Sequence, residues 1–135
     1  MELTSRYRFS AAHRLDTPSL TPEQNRDIYG KCNNPFGHGH DYVLEITVDG
    51  SVDENGLIVN REQMDRMVRS AVIEKLDHKY LNQDVAEFAE RNPTTENLAF
   101  VIRDYLADAW TVAAKLVRVR IVETDRNTFV LEEAR

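Results

Sequence analysis

The sequence predicts an α+β domain, an antiparallel sheet with two helices on one face, on three observations. Apolar residues alternate with period two across residues 3–13, 38–48 and 115–123. Between these stretches, 61–76 and 94–109 carry apolar residues at helical spacing. A turn at Asp125-Arg126-Asn127 then leads into a last short strand. The order is two strands, two helices, two strands, and the 135 residues, without repeat or linker, fit one domain spanning 1–135.

The first strand places Leu3, Tyr7, Phe9, Ala11 and His13 on one face. Residues 16–37 lose all periodicity and hold Pro18, Pro22, Gly30, Pro35 and Gly37, a loop long enough to suggest a functional reason for its length. Alternation returns from His38 to Val48, with Tyr42, Leu44, Ile46 and Val48 inward. Asp49-Gly50 to Asn55-Gly56 reads as turns and GLIVN (56–60) as a short extended piece. The first helix, Arg61 to Leu76, buries Met64, Met67, Val68, Ala71, Val72 and Leu76. The second starts after Pro93, where Thr94 or Thr95 can cap it and Glu96 suits its positive end. Its stripe is Leu98, Ile102, Tyr105, Leu106 and Ala109, and Trp110 and the methionines read as core.

The formal charge of −6 argues against sequence-independent nucleic-acid binding, which calls for a basic face, but not against a small anionic substrate. No apolar run has the length of a signal peptide or a membrane span, and a lone Cys32 forms no intrachain disulfide. The expectation is a cytoplasmic enzyme.

The strongest local signal is His38-Gly39-His40. Alternate residues of a strand point the same way, about 7 Å apart, so two imidazoles can converge on one ion. Gly39 between them would let the backbone approach a neighbour closely. His13 has the inward parity of Phe9 and Ala11, and antiparallel pairing of the two strands brings it beside the other two. Three neutral nitrogens leave one tetrahedral position open, the arrangement of a catalytic zinc. Against this stand two plainer readings: histidines merely packed in the core, or Cys32 as a fourth ligand closing a structural site.

Cys32 lies six residues before His38. A thiol of ordinary pKa, about 8.5, is a few per cent thiolate at neutral pH, and Lys31 or a bound cation would raise that share. Asp77-His78, after the first helix, places a carboxylate beside an imidazole whose tautomer it can fix. Glu123 shares the parity of Val117, Val119 and Ile121. An inward carboxylate needs a partner, and a ligand edge with two parallel N–H donors supplies one.

Together FSAAHRL (9–15), GKCNNPFGHGHDY (30–42), GLIVN (56–60), LDHKYLN (76–82), PTTEN (93–97) and VETDRN (122–127) resemble the 6-pyruvoyltetrahydropterin synthase family over nearly the whole chain. The resemblance implies a tunnelling fold, in which trimers form a barrel and two trimers stack into a hexamer with active sites between subunits. It implies that His13, His38 and His40 ligate one zinc ion per subunit and that Cys32 is the catalytic thiol. It further implies that Asp77 and His78 complete its triad from a neighbouring subunit. By the same resemblance Glu123 is expected to anchor the pterin's amino-pyrimidine edge, with Thr94, Thr95 and Glu96 lining the same pocket. The implied substrate is 7,8-dihydroneopterin triphosphate, whose triphosphate must meet positive charge; Arg14 and Lys31 are candidates by position.

The family divides by chemistry. One branch makes 6-pyruvoyltetrahydropterin and triphosphate, as in tetrahydrobiopterin synthesis; the other makes 6-carboxytetrahydropterin for queuosine. In the second branch the cysteine precedes HGH by four residues, whereas Cys32 precedes His38 by six. That spacing and Asn60 are similar to the pyruvoyl branch; Phe36 departs from the Asn common there, which bears on side-chain specificity. A pterin-binding zinc protein without catalysis is a further alternative, against which the joint presence of Cys32, Asp77 and His78 counts.

Overall fold

The computed structural model describes residues 1–133; positions 134 and 135 of the expected 1–135 domain lie outside the described residues. Strands β1 (Glu2–His13), β2 (His38–Asp49), β4 (Lys115–Val122) and β5 (Thr128–Glu132) form an antiparallel run, and the two-residue β3 (Lys79–Tyr80) adds to β1 in parallel. The strand order is β3-β1-β2-β4-β5 in one open sheet. Alternation does the sorting. Odd-numbered Tyr7, Phe9, Ala11 and His13 of β1, with Tyr42, Leu44, Ile46 and Val48 of β2, are buried on one face.

Helix α1 (Pro22–Tyr29) lies in the β1–β2 connection, α2 (Arg61–Val68) runs through a π-helical stretch (Arg69–Ile73) into α3 (Glu74–Leu76), and α4 (Leu81–Asp84) is one short turn. Helix α5 (Thr95–Ala109) follows the cap residue Thr94, whose hydroxyl accepts from the Asn97 N–H. Met64, Val68, Val72, Leu98, Ile102 and Leu106 close the core over the inner face, so the two helical stripes read from the sequence are the packed surfaces. The outer face is ionic: Glu45 accepts from Arg6 and Arg120, each at 2.9 Å. No helix among the described residues is long and apolar enough to cross a membrane.

Three expectations change. The two-strand, two-helix, two-strand order holds for the long elements only, because 16–37 is not a bare loop. It holds α1 and a 3-10 turn at Gly30–Asn33. Helix α1 starts at a capping box, Thr21 with Gln24, and has proline in its first turn. That signal needs no apolar stripe, and Asn25 is the one buried residue of α1. GLIVN forms no strand; Val59 is buried and Asn60 caps α2 by accepting from the Gln63 N–H at 3.0 Å. Glu123 lies just past the end of β4 rather than within it.

A candidate metal centre and its neighbouring cavity

The β1–β2 register sets His13 directly opposite His38 and Ala11 opposite His40, so all three imidazoles start from the same end and face of the sheet. Gly37 makes the entry into β2 possible. Its φ is +80°, and a Cβ there would stand 2.9 Å from the His13 carbonyl oxygen. Gly39 has no such role: a Cβ would meet nothing within 4 Å, so the close approach expected there is absent.

His13 is fully buried (0 % exposed), and its Nδ1–H donates to the Pro93 carbonyl at 2.8 Å. This bond fixes the tautomer and turns the Nε2 lone pair toward the site. That Nε2 lies 3.2 Å from Nε2 of His40 and 3.4 Å from Cys32 Sγ, and the sulfur lies 3.7 Å from His40 Nε2. A tetrahedral zinc with ordinary bond lengths holds two nitrogens about 3.3 Å apart and a nitrogen and a sulfur about 3.6 Å apart. The observed triangle fits those spans. Burial lowers the pKa of both His13 and His40, which keeps them neutral, as ligands must be. The residues fit a zinc ion.

The trio of converging atoms is therefore His13, Cys32 and His40, whereas sequence reasoning named His13, His38 and His40. The His38 ring packs edge-on against His40, centroids 4.8 Å apart, beside the trio rather than in it. Cys32 arrives through the 3-10 turn, tied to the exit of β1 by Leu15 N–H donating to the Cys32 carbonyl at 2.7 Å and Asn33 Nδ2 donating to the Leu15 carbonyl at 2.7 Å. Burial first, then the charge of Glu123, pushes its thiol pKa up. Lys31, expected to lower it, is exposed and does not counter these effects.

Cys32, His38, His40 and Glu123 line one cavity of about 700 Å³, with Tyr29, Lys31 and the Thr124–Asn127 turn on its rim. The Glu123 side chain is 14 % exposed and places Oε1 3.9 Å from His40 Nε2. Its Oε2 accepts from the buried Thr95 hydroxyl, so Thr95 orients the carboxylate. Thr94 is engaged in the α5 cap, and Glu96 is exposed on the first turn. Neither belongs to the cavity wall. Tyr42 (1 % exposed), edge-on to His40 with ring centroids 5.6 Å apart, is a buried phenol that sequence reasoning did not single out; burial, then Glu123, raises its pKa, and a hydrogen bond with Thr95 opposes them.

Asp77 and His78 form a pair, but away from Cys32. Asp77 Oδ1 accepts from the Ser10 N–H at 2.9 Å, and the His78 N–H donates to the Ser10 carbonyl at 2.6 Å. His78 Nδ1 lies 3.0 Å from Asp77 Oδ2, its side chain is 83 % exposed, and its φ of +61° is a backbone state unusual for a residue with a Cβ. The pair sits at the edge of β1, and His78 lines a second cavity with Ser10, Gly39, Asp41 and His40, the last of which also lines the cavity of Cys32. Within one chain, among the described residues, the thiol contacts His13 and His40 and the His78 ring pairs with Asp77, with no hydrogen bond joining the two groups.

The fold is shared with the solved structure of Caenorhabditis elegans 6-pyruvoyl tetrahydropterin synthase, with a TM-score of 0.90 at 31% identity, over 99% of this chain and 96% of that one. Residues 2–134 match the family model described as 6-pyruvoyl tetrahydropterin synthase, and the chain belongs to that family. Among relatives, the 6-pyruvoyl tetrahydrobiopterin synthase of Poecilia reticulata is 45% identical over 123 residues, 90% of this chain and 83% of the relative. That of Homo sapiens is 41% identical over 130 residues, covering 96% and 89%. A putative 6-carboxy-5,6,7,8-tetrahydropterin synthase of Archaeoglobus fulgidus is 30% identical over 117 residues, covering 87% and 83%.

Proposed function

We propose that this chain is a zinc-dependent lyase that converts 7,8-dihydroneopterin triphosphate to 6-pyruvoyltetrahydropterin and triphosphate. The observation that carries the reading is the shared cavity: a carboxylate suited to two parallel N–H donors, a thiol and the imidazoles of His38 and His40 line one space, with the buried His13 converging on Cys32 and His40 from behind. Higher identity to relatives bearing the pyruvoyl name than to the archaeal carboxy relative supports this product over the carboxy one.

In this reading His13, His38 and His40 hold the zinc, His38 by a turn of its side chain from a starting point opposite His13. When bound, zinc supplies Lewis acidity to the hydroxyls of the substrate side chain. Glu123, held by Thr95, accepts from the amino-pyrimidine edge and fixes the ring so that the side chain reaches Cys32. Engagement of that carboxylate weakens one of the two effects that keep the thiol protonated. Cys32 then takes a proton from one side-chain carbon, and the triphosphate leaves. His78, its Nδ1–H held by Asp77, carries protons at the other carbon through its free Nε2. Because the pair lies apart from Cys32, it acts in a neighbouring subunit's site within a hexamer of two stacked trimers. A single domain and a cytoplasmic location complete the proposal.

The spans of the His13–Cys32–His40 triangle favour a second reading, in which the thiol is a fourth ligand beside the three imidazoles and the site is closed and structural. Incubation of the purified, zinc-loaded protein with 7,8-dihydroneopterin triphosphate, with products identified by mass spectrometry, tests the main reading. A pyruvoyl product with one triphosphate released sustains it; a carboxy product moves the chain to the other branch; no triphosphate release defeats both.

A further inference from the structure

Arg126 lines the cavity of Cys32 and Glu123 without any part in the metal centre or the proton chemistry. It stands on the turn between β4 and β5, in the same short hairpin as Glu123. Backbone hydrogen bonds close that hairpin: the Glu123 N–H donates to the Asn127 carbonyl at 3.1 Å, and the Asn127 N–H donates back to the Thr124 carbonyl at 3.3 Å. The Thr124 hydroxyl accepts from the N–H groups of Arg126 and Asn127 at 3.1 and 3.2 Å. Carboxylate and guanidinium therefore reach one cavity from one fixed piece of backbone.

The Arg126 guanidinium is exposed and, among the described residues, makes no hydrogen bond, ion pair or ring contact. Glu123 does not engage it, because that carboxylate accepts from Thr95 and faces His40. The same cavity includes Tyr29, whose ring is held in place at its far end: the hydroxyl bonds with the Thr17 hydroxyl at 2.6 Å and accepts from Asn92 Nδ2 at 3.2 Å. An unengaged cation and a pinned aromatic ring in one cavity are groups that cover the faces of a flat ligand. Glu123 takes two parallel N–H donors in the plane of such a ligand, which leaves its faces to other residues.

We propose that Arg126 lies over one face of the ring held by Glu123 and makes the site prefer a reduced, electron-rich pterin to its oxidised form; this rests on the pterin reading above. A cation is drawn to a π face by the electron density there. In a 7,8-dihydropterin the N8 amine feeds density into the pyrimidine, whereas in the oxidised pterin both nitrogens of the second ring are imine-like and withdraw it. The planar guanidinium matches the flat ring, a fit that an ammonium lacks. Neopterin and 7,8-dihydroneopterin carry the same amino-pyrimidine edge and the same side chain, so Glu123, Cys32 and the metal meet identical groups in the two.

Anaerobic calorimetric titration of the zinc-loaded full-length protein with each compound gives the ratio of the two affinities. The unmodified protein favours the dihydro form, and Arg126→Gln lowers that preference by about threefold or more, chiefly by weakening dihydroneopterin. Arg126→Lys does not restore the full ratio. Arg126 is exposed on a turn, so both variants keep the fold, which circular dichroism and zinc content check. A ratio unchanged in Arg126→Gln, including an equal loss of affinity for both compounds, overturns the proposal and leaves the pterin reading standing. Full recovery of the ratio in Arg126→Lys overturns the stacked guanidinium. Binding of neither compound by the unmodified protein overturns this proposal and the parent reading together.

Discussion

Removing single ligands from the metal centre, and reading the stability that metal confers, separates the open three-imidazole site from the closed site with a thiol. Zinc at one hundred times its dissociation constant stabilises a folded chain by about 2.7 kcal/mol, and a hundredfold loss of affinity leaves about 0.4 kcal/mol at the same concentration. For a chain of this size those values correspond to melting shifts on the order of 10 °C and 2 °C. His13 has its Nε2 3.2 Å from that of His40, so His13→Ala removes a ligand in either reading and collapses the shift to the smaller value. The readings part at Cys32. In the open site Cys32→Ala keeps nearly the whole shift; in the closed site it loses it, and His38→Ala loses it in both. Using the increment on metal addition matters because His13 is fully buried, and its truncation lowers the metal-free melting point as well. Differential scanning fluorimetry with and without zinc supplies the numbers. Cobalt substitution gives a second readout, since a ligating thiolate adds an intense near-ultraviolet charge-transfer band. A full shift in His13→Ala refutes the metal centre, and a lost shift in Cys32→Ala refutes the open site.

Other outcomes follow from the same geometry. Gly37→Ala, with φ at +80° and a Cβ 2.9 Å from the His13 carbonyl, costs about 2 kcal/mol or more in urea unfolding and reduces bound zinc; wild-type values on both counts contradict the tight approach. Burial lowers the pKa of His13 and His40 below the ordinary 6.5, so the unfolded chain binds more protons than the folded one once pH drops under that value. The urea midpoint of the metal-free protein therefore declines as pH falls from 6.5, and His40→Gln flattens the decline; a flat wild-type profile contradicts it. Glu45 acts in a lower window. Burial alone would raise its carboxyl, but hydrogen bonds from Arg120 and Arg6 outweigh that and hold it below 4.5. Its stabilisation is present above pH 4.5 and is lost as pH falls through the depressed value, a slope that Glu45→Gln removes.

The parts of the fold legible in the sequence are those where one face is dry. Tyr7, Phe9, Leu44, Ile46, Val119 and Ile121 are buried at alternate positions, and slipping a strand by one residue would turn that whole set outward. The same parity carries His13 and His40 to the inner face. Helix α1 was not legible because its only buried residue is polar, so hydrophobic periodicity has nothing to detect; the capping box at Thr21 was the available cue. At the site, residue identities were readable and their grouping was not. That Cys32 rather than His38 joins His13 and His40 follows from bonds between the Gly30–Asn33 turn and Leu15, contacts long in sequence and invisible to local spacing. The same holds for the Pro93 carbonyl, a backbone partner that no side-chain motif announces.

The distance between Cys32 and the Asp77–His78 edge reaches into genetics. If chemistry needs both, a Cys32-dead copy and a His78-dead copy, each inert alone, form some intact centres when refolded together, and activity returns from two null parents. Specific activity would also fall on dilution, as copies separate and the two halves of each centre part company.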